Sequence, residues 1–175
     1  MNYESIFEIS LKTKIYEFNE LSKSYTNVEV NNPMSLINTK RKKVFILIVD
    51  DEFIIRNAMK RLITTELKKD IEIIFVEAND GVEFILAVYL ANLNQIKFNF
   101  IISDENMSYI NGSHAIEIIK LVVKSGKFQD VPIFMSTANS TIEANYANSD
   151  KVRKVFSKPM DRNSIRELLM ICDIL

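Results

Sequence analysis

Cysteine, glycine, proline and histidine are all scarce in this 175-residue chain. The single Cys172 excludes an internal disulfide and fits a reducing compartment, so a cytoplasmic location is expected. Three glycines, none in a glycine-rich loop, argue against a P-loop or a dinucleotide-binding turn. His114 is the only histidine; it stands near the start of a helical segment and reads as an exposed residue. Long hydrophobic runs are missing too. No apolar stretch reaches the length of a membrane span, so no membrane insertion is expected, and Met1-Asn2-Tyr3-Glu4-Ser5 lacks the basic start of a signal peptide. Charge of one sign is not in excess: a formal net charge of −1 gives no general pull toward nucleic acid or an anionic membrane. The basic run Thr39-Lys40-Arg41-Lys42-Lys43 has no aromatic residues among its cations. It reads as a solvated tether, and no nucleic-acid partner is expected.

What the chain does have is 47% apolar residues, enough for one domain with a core. Residues 1–43 read as an N-terminal extension or linker: Phe7, Ile9 and Leu11 alternate with polar residues, then the segment turns polar through Asn31-Asn32-Pro33. From 44 to 175, β-type runs alternate with segments of helical period. Ile55, Ala58, Met59 and Leu62 form one stripe at i, i+3, i+4, i+7. The same spacing recurs at Val82, Ile85, Leu86, Tyr89; at Ala115, Ile118, Ile119, Val122; and at Ile165, Leu168, Leu169, Cys172. Between them, 71–77, 98–103, 131–136 and 152–157 are strand-like. A fourth of five helices, short or mobile, is expected over 140–150, where only Ile142 and Tyr146 mark a stripe. Five strand–helix alternations predict an α/β fold, a doubly wound five-stranded parallel sheet of flavodoxin-like order 2-1-3-4-5 with five helices.

Two of the buried strands run straight into acids. Val44-Phe45-Ile46-Leu47-Ile48-Val49 ends at Asp50-Asp51-Glu52, and Phe98-Asn99-Phe100-Ile101-Ile102-Ser103 ends at Asp104. Ligands of such sheets bind outside the carboxyl ends of the strands, so these acids share one crevice. Their mutual repulsion demands a cation or a proton. Thr137 closes the fourth strand, Lys158-Pro159 the fifth, and the Asn106 carbonyl lies two residues past Asp104. These are parts suited to phosphoryl transfer onto a carboxylate. The acids make a hard-oxygen site for Mg²⁺, Asp104 is the nucleophile, and a lysine and a hydroxyl meet the remaining phosphoryl oxygens. The blander readings are a helix cap at Asp50-Asp51, which is compatible with metal binding, rim charges at Glu52 and Glu105, and loop packing for Met107.

Together the residues resemble the receiver (response-regulator) domain of two-component signalling, over roughly residues 43–175. The motifs are Ile48-Val49-Asp50-Asp51-Glu52, Ser103-Asp104-Glu105-Asn106-Met107, Asn111-Gly112, Ser136-Thr137-Ala138 and Lys158-Pro159. The resemblance implies Mg²⁺ on Asp51, Asp104 and the Asn106 carbonyl, with Asp50 acting through water. It implies Asp104 as phosphoacceptor, Thr137 as switch hydroxyl, Lys158 as phosphate contact and a cis Lys158–Pro159 peptide. The donor would be a histidine kinase or histidine phosphotransfer domain, and the protein a switch that catalyses only its own phosphorylation and dephosphorylation. Two positions depart from the family: Ser108 stands where proline is usual, and Val155 where the switch aromatic is usual, with Phe156 turned to the other face. Extra length is expected around 91–99.

Three other functions stand beside this one. A haloacid-dehalogenase-type phosphatase also uses a strand-end Asp with Mg²⁺, but wants a second acid where this chain has Asn106. An interaction module without phosphorylation is opposed by the intact Asp51, Asp104, Thr137 and Lys158. A C-terminal receiver piece of a hybrid sensor histidine kinase is the third, since Ser5-Ile6-Phe7-Glu8-Ile9-Ser10-Leu11 is similar to the closing strand of a kinase ATP-binding domain. No DNA-binding output domain is expected after the last helix.

Overall fold

A computed structural model describes residues 16, 20, 42–126, 130–139, 141, 146 and 150–175. Strands and helices alternate: β1 (Lys42–Val49), α1 (Phe53–Glu66), β2 (Ile71–Ala78), α2 (Gly81–Leu93), β3 (Phe100–Asp104), α3 (Gly112–Lys124), β4 (Ile133–Thr137), β5 (Lys154–Ser157) and α4 (Arg162–Ile171). All five strands are parallel, in the order β2-β1-β3-β4-β5. That is the flavodoxin-like order the alternation predicts. Among the described residues there are four helices. The helix expected over 140–150 falls mostly outside them, although Thr141 and Tyr146 are described and helical. The alternation at Phe7, Ile9 and Leu11 and the residues 39–41 of the basic run also lie outside them. β1 starts at Lys42, ahead of the expected Val44, because Lys42 and Lys43 pair with Ile71 and Glu72 of β2.

The continuous apolar runs follow from burial on both faces of the sheet. Phe45, Leu47, Val49, Ile101, Met135 and Val155 face one core, with α2 and α3. Val44, Ile46, Ile48, Phe100, Ile102, Phe134 and Phe156 face the other, with α1 and α4. Each fully buried large apolar side chain here contributes about 1.5–3 kcal/mol. Register decides which residues of each run meet which core, since a one-residue slip would exchange the two faces.

α1 keeps Ile55, Met59 and Leu62 of its expected stripe against the core, with Arg56 and Ile63 buried beside them and Ala58 exposed. The face of the next helix turns further. α2 buries Phe84, Ala87, Val88 and Ala91, while Tyr89 points out. α2 is apolar almost all round, so no polar stripe marks its outer side. α3 keeps Ala115 and Ile119 inside but exchanges Ile118 for Ile116, and α4 buries Ile165, Leu168 and Leu169 as expected. Asp80 caps α2 by accepting the Glu83 N–H at 2.9 Å, and Asp161 caps α4 by accepting the Ser164 N–H at 2.8 Å. Each cap is worth about 1 kcal/mol.

The helix pairs are joined differently on the two faces. Glu66, at the end of α1, accepts hydrogen bonds from both Arg162 and Arg166 of α4. The bond from Arg166, with Arg162 beside it, holds the Glu66 carboxyl below its ordinary range. On the opposite face α2 meets the approach to α3 through main chain, the Gly81 N–H donating to the Ile110 carbonyl at 3.1 Å.

Candidate functional site

β1 and β3 are adjacent, with Val49 opposite Ser103, so Asp50 and Asp104 leave the sheet side by side. Asp50 is fully buried, Asp104 almost so, and Asp51 is exposed. One carboxylate oxygen from each lies within 4.8 Å of the others. β5 delivers Lys158 between them: its Nζ stands 2.8 Å from Asp50 Oδ2 and 2.7 Å from Asp104 Oδ2. The second oxygens are also held, Asp50 Oδ1 by the Glu52 N–H at 2.9 Å and Asp104 Oδ1 by the Glu105 N–H at 2.7 Å. Four residues singled out in the sequence therefore meet at one place.

The electrostatics follow from that packing. Burial pushes the Asp104 carboxyl above its ordinary pKa, opposed by the Lys158 ammonium and reinforced by the charge of Asp50. For Lys158, burial acts to lower the pKa, but its contacts with Asp104 and Asp50 prevail and hold it above the ordinary lysine value.

Thr137 and Asn106 stand further out. Thr137 is buried at the end of β4; its hydroxyl accepts the Asn139 N–H at 3.1 Å and its carbonyl the Lys158 N–H at 2.9 Å. It is tied to Lys158 through main chain, and no hydrogen bond joins it to Asp104 among the described residues. Asn106 is exposed on the rim. Lys158–Pro159 is cis, as expected. Val155 lies opposite Met135 in the core shared with α2 and α3, and Phe156 is on the other face, as strand alternation requires. His114 is exposed and Met107 is packed in the core.

Three further residues brace the site. Glu105, read as a rim charge, is 5% exposed. Its carboxylate accepts the Ser113 N–H and the Ser113 hydroxyl, both at 2.9 Å, and so caps α3, where Asn111 makes no side-chain cap. Arg56 and Glu77 were not singled out at all. Nη1 of Arg56 donates to the Asp50 carbonyl at 2.6 Å and its Nε to Glu77 at 2.9 Å. None of these pairs is local, so only Ser113 at a helix start hinted at one of them.

Gly112 explains why Asn111-Gly112 belongs with the site. Its N–H donates to the Glu105 carbonyl at 2.9 Å, and a Cβ there would fall 2.0 Å from the Asp104 carbonyl oxygen. Both atoms are main chain, so neither can swing away. Gly112→Ala is expected to cost about 2–3 kcal/mol by forcing the Asp104 loop and α3 apart. Urea unfolding of the variant checks this, and an unchanged midpoint would contradict it.

The donor set suits a divalent cation. Three carboxylates against one ammonium leave a surplus of two negative charges. Asp50 Oδ2 is buried and accepts no well-aligned hydrogen bond; the ammonium answers its charge but leaves its lone pairs unfilled. All the donors are oxygens, the hard ligands that Mg²⁺ prefers.

Comparison with known proteins agrees with this geometry. The sequence profile of the response regulator receiver domain matches residues 46–170. No curated protein shows significant sequence similarity to the chain. Among solved structures, a two component response regulator from Cytophaga hutchinsonii is 22% identical with a TM-score of 0.65, covering 75% of this chain and 98% of its own. The signal receiver domain of the putative response regulator NarL from Mycobacterium tuberculosis is 16% identical with a TM-score of 0.57, covering 75% of this chain and 96% of its own. The isolated REC domain of RcsB from Salmonella enterica serovar Typhimurium, solved in the presence of phosphomimetic BeF3−, is 19% identical. Its TM-score is 0.54, and the match covers 74% of this chain and 87% of that one. No helix among the described residues is long and apolar enough to cross a membrane.

Proposed function

The chain belongs to the response regulator receiver domain family, and from that membership we propose a phosphorylation switch. A phosphoryl group passes from a phosphohistidine of a histidine kinase or phosphotransfer domain to Asp104. The receiver unit, expected over 44–175, takes in Lys42 and Lys43 as well, which pair in β1, and the residues before them are its N-terminal extension. The observation that carries this reading is the shared ammonium, with Lys158 Nζ 2.8 Å from Asp50 and 2.7 Å from Asp104. A structural lysine would not need two buried acids aimed at it with a third alongside.

In the transfer, an Asp104 carboxylate oxygen forms the new O–P bond while the P–N bond to the donor imidazole breaks. The electron pair stays on the imidazole nitrogen, which takes up a proton. Lys158 is placed to carry charge that gathers on the phosphoryl oxygens, and the Thr137 hydroxyl to donate to one of them. Asp51, Asp104 and the Asn106 carbonyl would hold Mg²⁺, with Asp50 acting through water, and the ion would supply the charge that lets an anionic donor approach these acids. Val155 removes the ring that the family's switch hydroxyl usually works against.

The test is uptake of one phosphoryl group from a small-molecule acyl phosphate in Mg²⁺, followed by intact mass; no uptake on Asp104 would sink the reading. BeF3− is expected to bind only with Mg²⁺ present. The phosphate is expected to be short-lived, because Asn106 and Asn139 are exposed and polar and admit water. Asn139 is further held by accepting the Thr141 N–H at 3.0 Å, which keeps it from folding over the site. Decay of the phosphorylated protein in Mg²⁺ measures this, and a half-life of many hours would contradict it.

A further inference from the structure

Arg56 occupies the buried face of α1 and is only 7% exposed. Its guanidinium bridges two fixed acceptors, the Asp50 carbonyl at 2.6 Å and Glu77 Oε2 at 2.9 Å. Lys60, one turn further along α1, pairs with the other Glu77 oxygen. Glu77 lies on β2 opposite Ile48, and the carbonyl of the next residue, Ala78, accepts the Asp50 N–H at 3.1 Å. Asp50 is thus gripped on both sides of its main chain, by β2 at the N–H and by α1 at the carbonyl.

Electrostatics alone would not put an arginine here. A positive charge beside acids that gather a divalent cation weakens their attraction for it. Glu77 offsets that charge; it does not remove it. The return is geometric. The Asp50 carbonyl belongs to the planar peptide that leads into Asp51, so fixing it fixes the plane from which Asp51 departs. Asp51 is exposed, and no hydrogen bond or ion pair holds its carboxylate among the described residues. Its aim therefore comes from the main chain. A planar fork holds two acceptors at a set angle, which an ammonium cannot do.

We propose that Arg56 is a positioning residue for the divalent cation. Anchored by Glu77, it orients the Asp50–Asp51 peptide and through it the Asp51 carboxylate. This deepens the receiver reading and rests on Asp51 being a ligand. The test is the Mg²⁺ affinity of the full chain by titration calorimetry, with no phosphoryl donor, for wild type, Arg56→Met and Arg56→Lys. Thermal unfolding in metal-free buffer runs alongside.

The two roles an arginine can play here move affinity in opposite directions. Removing a nearby positive charge tightens cation binding, whereas losing orientation weakens it. Arg56→Met is expected to bind Mg²⁺ about tenfold more weakly, the lower end for loss of a group that orients a metal ligand. Arg56→Lys keeps the charge and loses the fork, so it should also bind more weakly. Affinity in Arg56→Met equal to or tighter than wild type overturns the proposal. Should that variant fail to fold, wild-type affinity in Arg56→Lys does the same. Absence of Mg²⁺ binding by the wild type would instead bring down the receiver reading of the acids, and this inference with it.

Discussion

Asp104→Asn is expected to abolish phosphoryl uptake while leaving the protein folded. An amide oxygen is a far weaker nucleophile than a carboxylate, so the loss should be complete within detection. The fold should survive because the change is nearly isosteric. The single amide oxygen can accept from either the Glu105 N–H, now 2.7 Å from Asp104 Oδ1, or the Lys158 ammonium but not both, and Lys158 keeps its pair with Asp50 at 2.8 Å. The sign for stability follows from the raised pKa of Asp104, whose first cause is burial. An acid whose folded pKa lies above its unfolded one costs stability wherever it is ionised, so the uncharged amide should hold or raise the melting temperature near neutral pH. Mass spectrometry after incubation with a small acyl phosphate and Mg²⁺ reads the first outcome, and a thermal melt the second. Wild-type uptake by the variant would move the acceptor to Asp50 or Asp51.

Lys158→Met should show its largest effect without metal. The substitution leaves Asp50 and Asp104 buried together with no counter-charge. Breaking a buried ion pair from one side costs about 3 kcal/mol, which for a domain of this size lowers the melting temperature by about 6–12 °C. Mg²⁺ should recover much of that loss, since the cation answers the same charges and binds only the folded form. Its affinity should rise, because the competing ammonium has gone. Phosphoryl uptake should nevertheless slow by about 100-fold, the usual consequence of removing one group that stabilises transition-state charge. A metal-free melt unchanged from wild type would show that Lys158 is not the counter-ion its distances describe.

The strand ends were legible because burial on both faces writes a strand as an unbroken apolar run, and the first acid marks where the run leaves the sheet. Asp50, Asp51 and Asp104 could be placed together for that reason. Lys158 and Thr137 were legible only as members of an ordered set of motifs, since a lysine or a threonine at a strand end is ordinary by itself. The helix faces were less legible. In α2 nearly every residue is apolar, and choosing Ile85 over Phe84 needs the sheet beneath it. In α1 a charge sits beside the apolar stripe: Arg56 is held inward by the Asp50 carbonyl just past β1 and by Glu77 of β2, and no hydrophobic period announces it. Glu105 was misplaced for a related reason. Its partner Ser113 is eight residues away across a loop, and no period in the sequence connects them. Hydrophobic pattern reports what must be buried, and it is silent about a charged group buried by contacts it makes at a distance.

The different joining of the two helix pairs gives the molecule an uneven sensitivity to its solvent. α1 and α4 share a carboxylate held by two guanidinium groups near the surface, a contact that ionic strength screens. Acid acts on the same contact: Glu66, with its depressed pKa, contributes fully above the ordinary glutamate value and loses that contribution as pH falls through its folded value. The α2 and α3 side is joined by a main-chain bond and apolar packing, which salt and mild acid leave alone. In concentrated salt, hydrogen exchange should therefore quicken first in α1 and α4, so that one layer of this sandwich loosens while its twin stays shut.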